Sequence, residues 1–420
     1  MYHSLIGKPS LRVVLVMGIL IGLCLLLLAA CGGEESAKGG AGGEHNKSTS
    51  GHTASTNLQT GQENKKSTSR GTASTDGLIV FFRRDAISTM YPNGSHIRQI
   101  THPPEGWIDG SPAWSPDGTK VAFHRGCLRY PKRFRSHCHG RRIMVVDVNT
   151  GDTRSVTHCG PDGGWTKENP PPSFGRYCVG DFQPAFSADG KSIAFRRIIG
   201  TKNESSRVEG IFMVGLDGSD PHQVTNIQKW GALEFEDFGP AFSLDGKKLV
   251  FERTRLADNA SPSECRGCLR GPTAVFVQSL ESSGSPEDAH RITPWKLNCH
   301  DGPEFSPNGQ WVLFSCEVAE GENTSTNLYM VHPDGTGLHQ LTHWGCCDQT
   351  YVGSSFSPEF KGWGDIVAAH RPAYGGEGTP DVYRMHIDIE HGVQETVNLT
   401  KSKTDEDAPS WGTYPPSARQ

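Results

Sequence analysis

The chain has 420 residues, of which 50 are Gly and 27 Pro, with 35% hydrophobic residues and a mean hydropathy of -0.48. That composition implies many short strands and turns around thin cores and argues against a bundle of long helices. The formal net charge is -5, and removal of residues 1–30 would take away Lys8 and Arg12 but no acid, so general nucleic-acid binding is not expected.

Lys8 and Arg12 precede an almost wholly apolar run from Val13 to Ala30. A basic segment followed by an apolar one reads as a signal peptide. The run ends in Leu28, Ala29, Ala30 and Cys31, followed by Gly32 and Gly33, which resembles a bacterial lipobox. The resemblance implies cleavage before Cys31 and lipidation of that cysteine. The protein would then be anchored to the cell membrane on its extracytoplasmic face. Two or three acyl chains anchor stably where one does not. The alternative is a retained transmembrane helix, since a run of roughly 18 apolar residues is about long enough to span a membrane.

From Gly32 to Asp76 the residues are mostly Gly, Ser, Thr, Asn, Lys and Glu. Such a segment cannot bury enough apolar surface to offset chain entropy and is expected to be a disordered tether. Part of it is duplicated: KSTSGHTAST at 47–56 returns as KSTSRGTAST at 66–75. A flexible chain of about 45 residues spans roughly 35–40 Å.

Beyond the tether a phrase recurs, as DGSPAWSPDG at 109–118, DFQPAFSADG at 181–190, DFGPAFSLDG at 237–246 and DGPEFSPNG at 301–309. A shorter copy, SSFSP, stands at 354–358, and DAPSW at 407–411 stands near the end. The Asp-Gly or Asn-Gly pair suits a tight turn. Each of the four full copies is followed by a short apolar strand: KVAF at 120–123, SIAF at 192–195, KLVF at 248–251 and WVLF at 311–314. Third strands follow at 143–147, 211–214, 274–277 and 328–331, and fourth strands at 154–157, 222–225, 290–293 and 339–342. Four antiparallel strands per unit of about 40–60 residues is a propeller blade.

At the start of this region, 77–82, 86–90 and 97–101 read as a second, third and fourth strand without a first. The segment 407–411 supplies the missing strand, so the two ends complete one blade and leave no open sheet edge. Five internal blades and this closing blade make an all-β, six-bladed propeller. The phrases resemble the D-x-x-P-x-[FW]-S-P-D-G repeat of the TolB-like propellers, over about Gly77 to Trp411. The fifth unit departs, with Lys361, Gly362, Trp363 and Gly364 where the others have an Asp-Gly turn. The expected organisation is a signal peptide at 1–30, lipidated Cys and tether at 31–76, propeller at 77–413 and a tail at 414–420.

Trp114, Phe186, Phe242, Phe305, Phe356 and Trp411 share one repeat position and are expected to pack between blades. Asp109, Asp181, Asp237, Asp301 and Asp407 head the innermost strands. They either hydrogen-bond the next blade or their own turn, or form an acidic ring at a channel mouth that could take calcium or a basic group.

Besides Cys24 and Cys31 there are ten cysteines: Cys127, Cys138, Cys159, Cys178, Cys265, Cys268, Cys299, Cys316, Cys346 and Cys347. An even number in an exported chain points to disulfides. The expected pairs are Cys127–Cys138, Cys159–Cys178 and Cys299–Cys316, and the other four are left open. All ten lie in or beside second-to-third-strand or between-blade connections, which emerge on one face. His137, His139, His158, His300 and His343 crowd the same face, so a Cys/His metal site is the rival reading.

Neither G-x-S-x-G nor H-E-x-x-H occurs, and a hydrolase domain beyond Gln420 is not expected. The reading that follows is a monomeric binding or scaffold module, with no catalytic residue assigned. It would take a protein, peptide or cell-wall glycan on its Cys-rich, long-loop face. The alternative is a polysaccharide lyase or glycosidase acting there.

Overall fold

Alternation of apolar and polar residues between Gly-containing turns is satisfied by a pleated strand half-buried in a stacked sheet. A computed structural model describes residues 77–127, 140–159, 176–201, 207–225, 235–256, 270–281, 289–320, 323–344, 349–371 and 379–413, all within one compact unit, Ser69–Gln420. The segments 1–30, 31–76 and 414–420, with Cys31, lie outside the described residues, as do Cys138, Cys265, Cys268, Cys346 and Cys347.

The first internal blade holds β4 (Trp107–Trp114), β5 (Lys120–Cys127), β6 (Arg142–Asp147) and β7 (Thr153–Ser155). The second holds β8 (Arg176–Phe186), β9 (Ser192–Thr201), β10 (Arg207–Gly215) and β11 (His222–Gln223), and the third β12 (Phe235–Phe242), β13 (Lys248–Leu256), β14 (Arg270–Ser279) and β15 (Ala289–Arg291). The fourth is β16 (Cys299–Phe305), β17 (Val312–Glu320), β18 (Asn323–Val331) and β19 (His339–Gln340). The fifth is β20 (Gln349–Phe356), β21 (Trp363–Arg371), β22 (Asp381–Asp388) and β23 (Gly392–Asn398). In the closing blade β24 (Glu406–Gly412) pairs with β1 (Leu78–Arg83), followed by β2 (Ala86–Met90) and β3 (Arg98–Gln99). Ile79 stands opposite Trp411, and Arg83 opposite Glu406. The six blades and their closure by the two ends are as the repeat implied.

The outermost strands are shorter than expected, two or three residues in five of the six blades. A side chain takes over where the ladder stops. Thr101, Thr157, Thr225, Thr293, Thr342 and Thr400 each accept, at 2.9–3.0 Å on Oγ1, the backbone N–H of a third-strand residue: Ile87, Ile143, Ile211, Val275, Leu328 and Val382. The hydroxyl satisfies a buried donor that a continuing strand would otherwise have to meet.

The inner turns follow the repeat. The Ser115 hydroxyl donates to Asp117 at 2.6 Å, the Thr119 N–H donates to the same carboxylate oxygen, and Gly118 supplies a φ of 67°. Ser187 with Asp189, Ser243 with Asp245 and Ser306 with Asn308 repeat the contact. In the fifth blade Phe360 replaces this polar lock and packs on Phe356, with ring centres 4.6 Å apart.

The core is a series of layers between blades. Trp114 packs with Val80 and Ile87 of the closing blade, Phe186 with Ile143 and Val145, and Phe242 against Ala194 and Ile211. Phe305 packs with Val250 and Val275, Phe356 with Leu313 and Leu328, and Trp411 with Val367 and Val382. Each aromatic thus joins its own blade to the preceding one, as expected of that repeat position.

Candidate binding site in the central channel

All six inner strands line a cavity of about 510 Å³. It occupies the half of each strand that runs into the tight turn, from Ser111 to Pro116 in the first blade and from Ala408 to Thr413 in the closing one. This end is opposite the Cys-rich connections, where a ligand site had been expected. At the rim, Leu244 is 66% exposed.

Where each inner strand enters the cavity it bulges, and one residue takes a left-handed backbone: Ser111, Gln183, Gly239, Gly302, Gly353 and Ala408, with φ between 48° and 99°. Three of these carry a side chain, an uncommon state for non-glycine residues. The bulge comes in two sizes. In the first, second, third and closing blades, three steps along the inner strand face two on its neighbour. In the fourth blade four steps, from His300 to Glu304, face two, and in the fifth three, from Tyr351 to Ser354, face one. Each of these two blades therefore has one more surplus residue than the others, and such bulges re-aim side chains.

The two blades with enlarged bulges contribute a polar cluster to a wall that otherwise carries no ionisable side chain among its lining residues. Glu304 stands where other blades have Ala113, Ala185, Ala241, Ser355 and Ser410. Its Oε1 accepts from the Ser355 hydroxyl at 3.2 Å, and Ser355 Oγ in turn accepts the Trp411 N–H at 3.0 Å. Burial pushes the Glu304 carboxyl up to about 8, against an ordinary value of 4.5, with the Ser355 hydrogen bond pulling the other way. Ser354 replaces the proline of the other five inner strands, lines the same cavity, and has a buried hydroxyl without a hydrogen-bond partner. A buried polar group of that kind costs stability unless a ligand or water meets it.

The residues singled out as an acidic ring are placed otherwise. Asp109, Asp181 and Asp237 are 0–3% exposed. Each is held by both Nε and Nη2 of an arginine on the second strand of its own blade: Arg125, Arg197 and Arg253, at 2.6–2.9 Å. The arginine that grips each carboxylate thus comes from the same blade. A carboxylate gripped on both oxygens offers little charge to calcium. In the closing blade this place belongs to Glu406, 0% exposed and paired with Arg83 at 2.8 Å. Asp407 lies one residue further on, opposite Phe82. Glu406 stands three positions before Pro409, as Asp109 stands three before Pro112.

In the fourth blade the corresponding place is taken by Cys299, opposite Cys316, and the two form a disulfide. Asp301 is two residues further on, within the bulge, and its side chain lies outside the described residues. A covalent bridge therefore stands where four blades have a buried ion pair. The sequence did carry a signal for those pairs: Arg125, Arg197 and Arg253 each follow their Asp by sixteen residues.

Cys127 and Cys159 are disulfide-bonded, while the side chain of Cys178 lies outside the described residues. Of the histidines, His137 and His139 lie outside the described residues, as does the His300 side chain, and His158 and His343 are exposed. Among the described residues no three His, Cys, Asp or Glu side chains gather where they could hold a metal ion.

One buried histidine was not anticipated. His124 lies beneath Gly110, where an added Cβ would come within 2.9 Å of the ring, and its Nε2 is 3.3 Å from Nη1 of Arg141. Burial first, and the Arg141 charge second, depress its pKa to about 3, so the neutral ring accepts the arginine N–H. Arg141 and Arg196 lie over the same Phe182 ring, at 4.9 and 5.5 Å.

No family model matches the chain. TolB from Acinetobacter baumannii is similar in structure, with a TM-score of 0.50 and 17% identity over 80% of this chain and 66% of that one. An oligogalacturonate lyase of Vibrio parahaemolyticus aligns with a TM-score of 0.42 and 14% identity, over 72% of this chain and 73% of the lyase. In sequence, a peptidase of Bacillus subtilis described as uncharacterised, YuxL, is 23% identical over 236 residues, 51% of this chain and 30% of the peptidase. The chain thus matches less than a third of that relative's length. By its blades, its closure and its likeness to TolB, the chain is a six-bladed β-propeller with the fold of the TolB structures.

Proposed function

We propose that this chain is a lipid-anchored binding propeller on the extracytoplasmic face of a bacterial membrane, which takes a protein, peptide or cell-wall ligand into the tight-turn end of its central channel. The observation that carries this reading is the cavity of about 510 Å³, to which every blade contributes. A site of that size, apolar with a few placed polar groups, is the kind that holds a ligand segment. The lipobox-like end at Cys31 supports the anchor, and the tether gives the propeller reach.

A photo-crosslinking residue at Leu244, on the rim, tests the channel in native membranes, with one at the exposed Glu281 as control. A discrete adduct from position 244 and none from 281 is expected. Equal adducts from both would refute the channel as the site. Polysaccharide turnover abolished by a single loop substitution would replace the binding reading with an enzyme. The anchor is checked with a palmitate analogue, whose incorporation should vanish in Cys31→Ser.

A further inference from the structure

Glu304, Ser354 and Ser355 depart from the repeat at neighbouring places. A carboxylate stands where three blades have alanine, and a serine where five have proline. Both changes fall in the two blades with the enlarged bulge. Ser355 fixes one carboxyl oxygen of Glu304, and Ser354, with its unpartnered hydroxyl, immediately precedes Ser355 in the chain. Everything else lining the cavity is Pro, Gly, Ala, Ser, Thr, Leu, Gln or aromatic.

We propose that Glu304 and Ser354 form a recognition site for a primary ammonium group on the ligand that enters the channel, Glu304 supplying the charge and Ser354 a second acceptor. The assignment rests on the channel being the ligand site. Three points select this chemistry. An ammonium is a compact point charge with three donors, and this wall offers a carboxylate oxygen and a hydroxyl. A divalent metal needs some six oxygen ligands, and one carboxylate with two hydroxyls falls short. An anion would face the only acid in the wall. Because burial favours the protonated acid, an arriving ammonium must displace that proton, which couples binding to proton release. No other titratable side chain lines the cavity, so the released proton is assigned to Glu304.

The test uses the full chain in detergent and calorimetry with n-butylammonium chloride, with tetramethylammonium and n-butanol as controls. Saturable binding of butylammonium alone is expected, with proton release at pH 7 seen as a dependence of the heat on buffer ionisation. Glu304→Gln should weaken binding by about tenfold or more and abolish the release, and Ser354→Ala should weaken it by about threefold. Nα-acetyl-lysine methylamide and spermidine then distinguish a protein lysine from a free polyamine. Butylammonium binding unchanged in Glu304→Gln, or no saturable binding of any of these amines to the wild type, would overturn the assignment. If the Leu244 adduct persists in Glu304→Gln while amines fail to bind, the channel reading stands and only the ammonium site falls. If the adduct itself is absent, the channel reading falls.

Discussion

At the scale of single residues, the buried ion pairs and Glu304 make opposite demands on charge. Asp181 is fully buried and Arg197 is 13% exposed, the guanidinium lying 5.0 Å from the Phe195 ring centre and 5.2 Å from that of Phe212. Arg197 donates to both Asp181 carboxylate oxygens. Removing one partner leaves the other buried and uncompensated, so Arg197→Ala should cost about 3–5 kcal/mol in denaturant unfolding. A cost under 1 kcal/mol would mean that water reaches Asp181. Glu304 makes stability depend on pH. The folded protein keeps its proton up to about pH 8, whereas the unfolded chain releases it near the ordinary 4.5. Stability attributable to this group therefore falls as pH rises from about 4.5 to 8, and not further. Glu304→Gln should remove that slope, narrowing the Tm difference between pH 6 and pH 9 by the equivalent of roughly 1–4 kcal/mol. An unchanged difference would place the carboxyl in ordinary solvent.

At the scale of elements, strand identity was written in the alternating pattern, but strand ends were not. The phrases HQVT and HQLT read as four-residue strands, yet β11 and β19 stop after two, because the terminal threonine turns its hydroxyl onto the third strand. Pattern alone cannot distinguish a threonine that extends a ladder from one that ends it. The backbone donors it serves are buried, so Thr157→Val, which keeps the shape and removes the acceptor, should cost about 1–3 kcal/mol. The Ile143 amide, its partner, should lose protection in hydrogen exchange relative to the rest of β6. The channel shows a similar limit. Departures from the repeat at Glu304 and Ser354 were visible as letters, but that these repeat positions line one cavity was not.

For the whole molecule, closure joins the two ends of the propeller into one sheet. β24 supplies the inner strand of the blade whose remaining strands begin at Leu78, and its Trp411 is 5% exposed against Val367 and Val382. A chain stopped after Asp407 would lose that strand's pairing and expose the edge of β1. Deleting one buried Trp side chain alone costs roughly 3–5 kcal/mol, so this truncation should abolish the single cooperative unfolding transition. An unaltered melting curve would disprove closure. The sequence by itself determined the blade count, the tight turns, the aromatic layers and the way the ends meet, since each rests on a local pattern repeated down the chain. Only the tertiary structure decided which acids are neutralised, that Glu406 and not Asp407 completes the pairing, that Cys299 and Cys316 replace it in the fourth blade, and that Glu304 faces the channel. Those depend on residues far apart in sequence becoming neighbours, and a bulge of one extra residue changes which side chain points where.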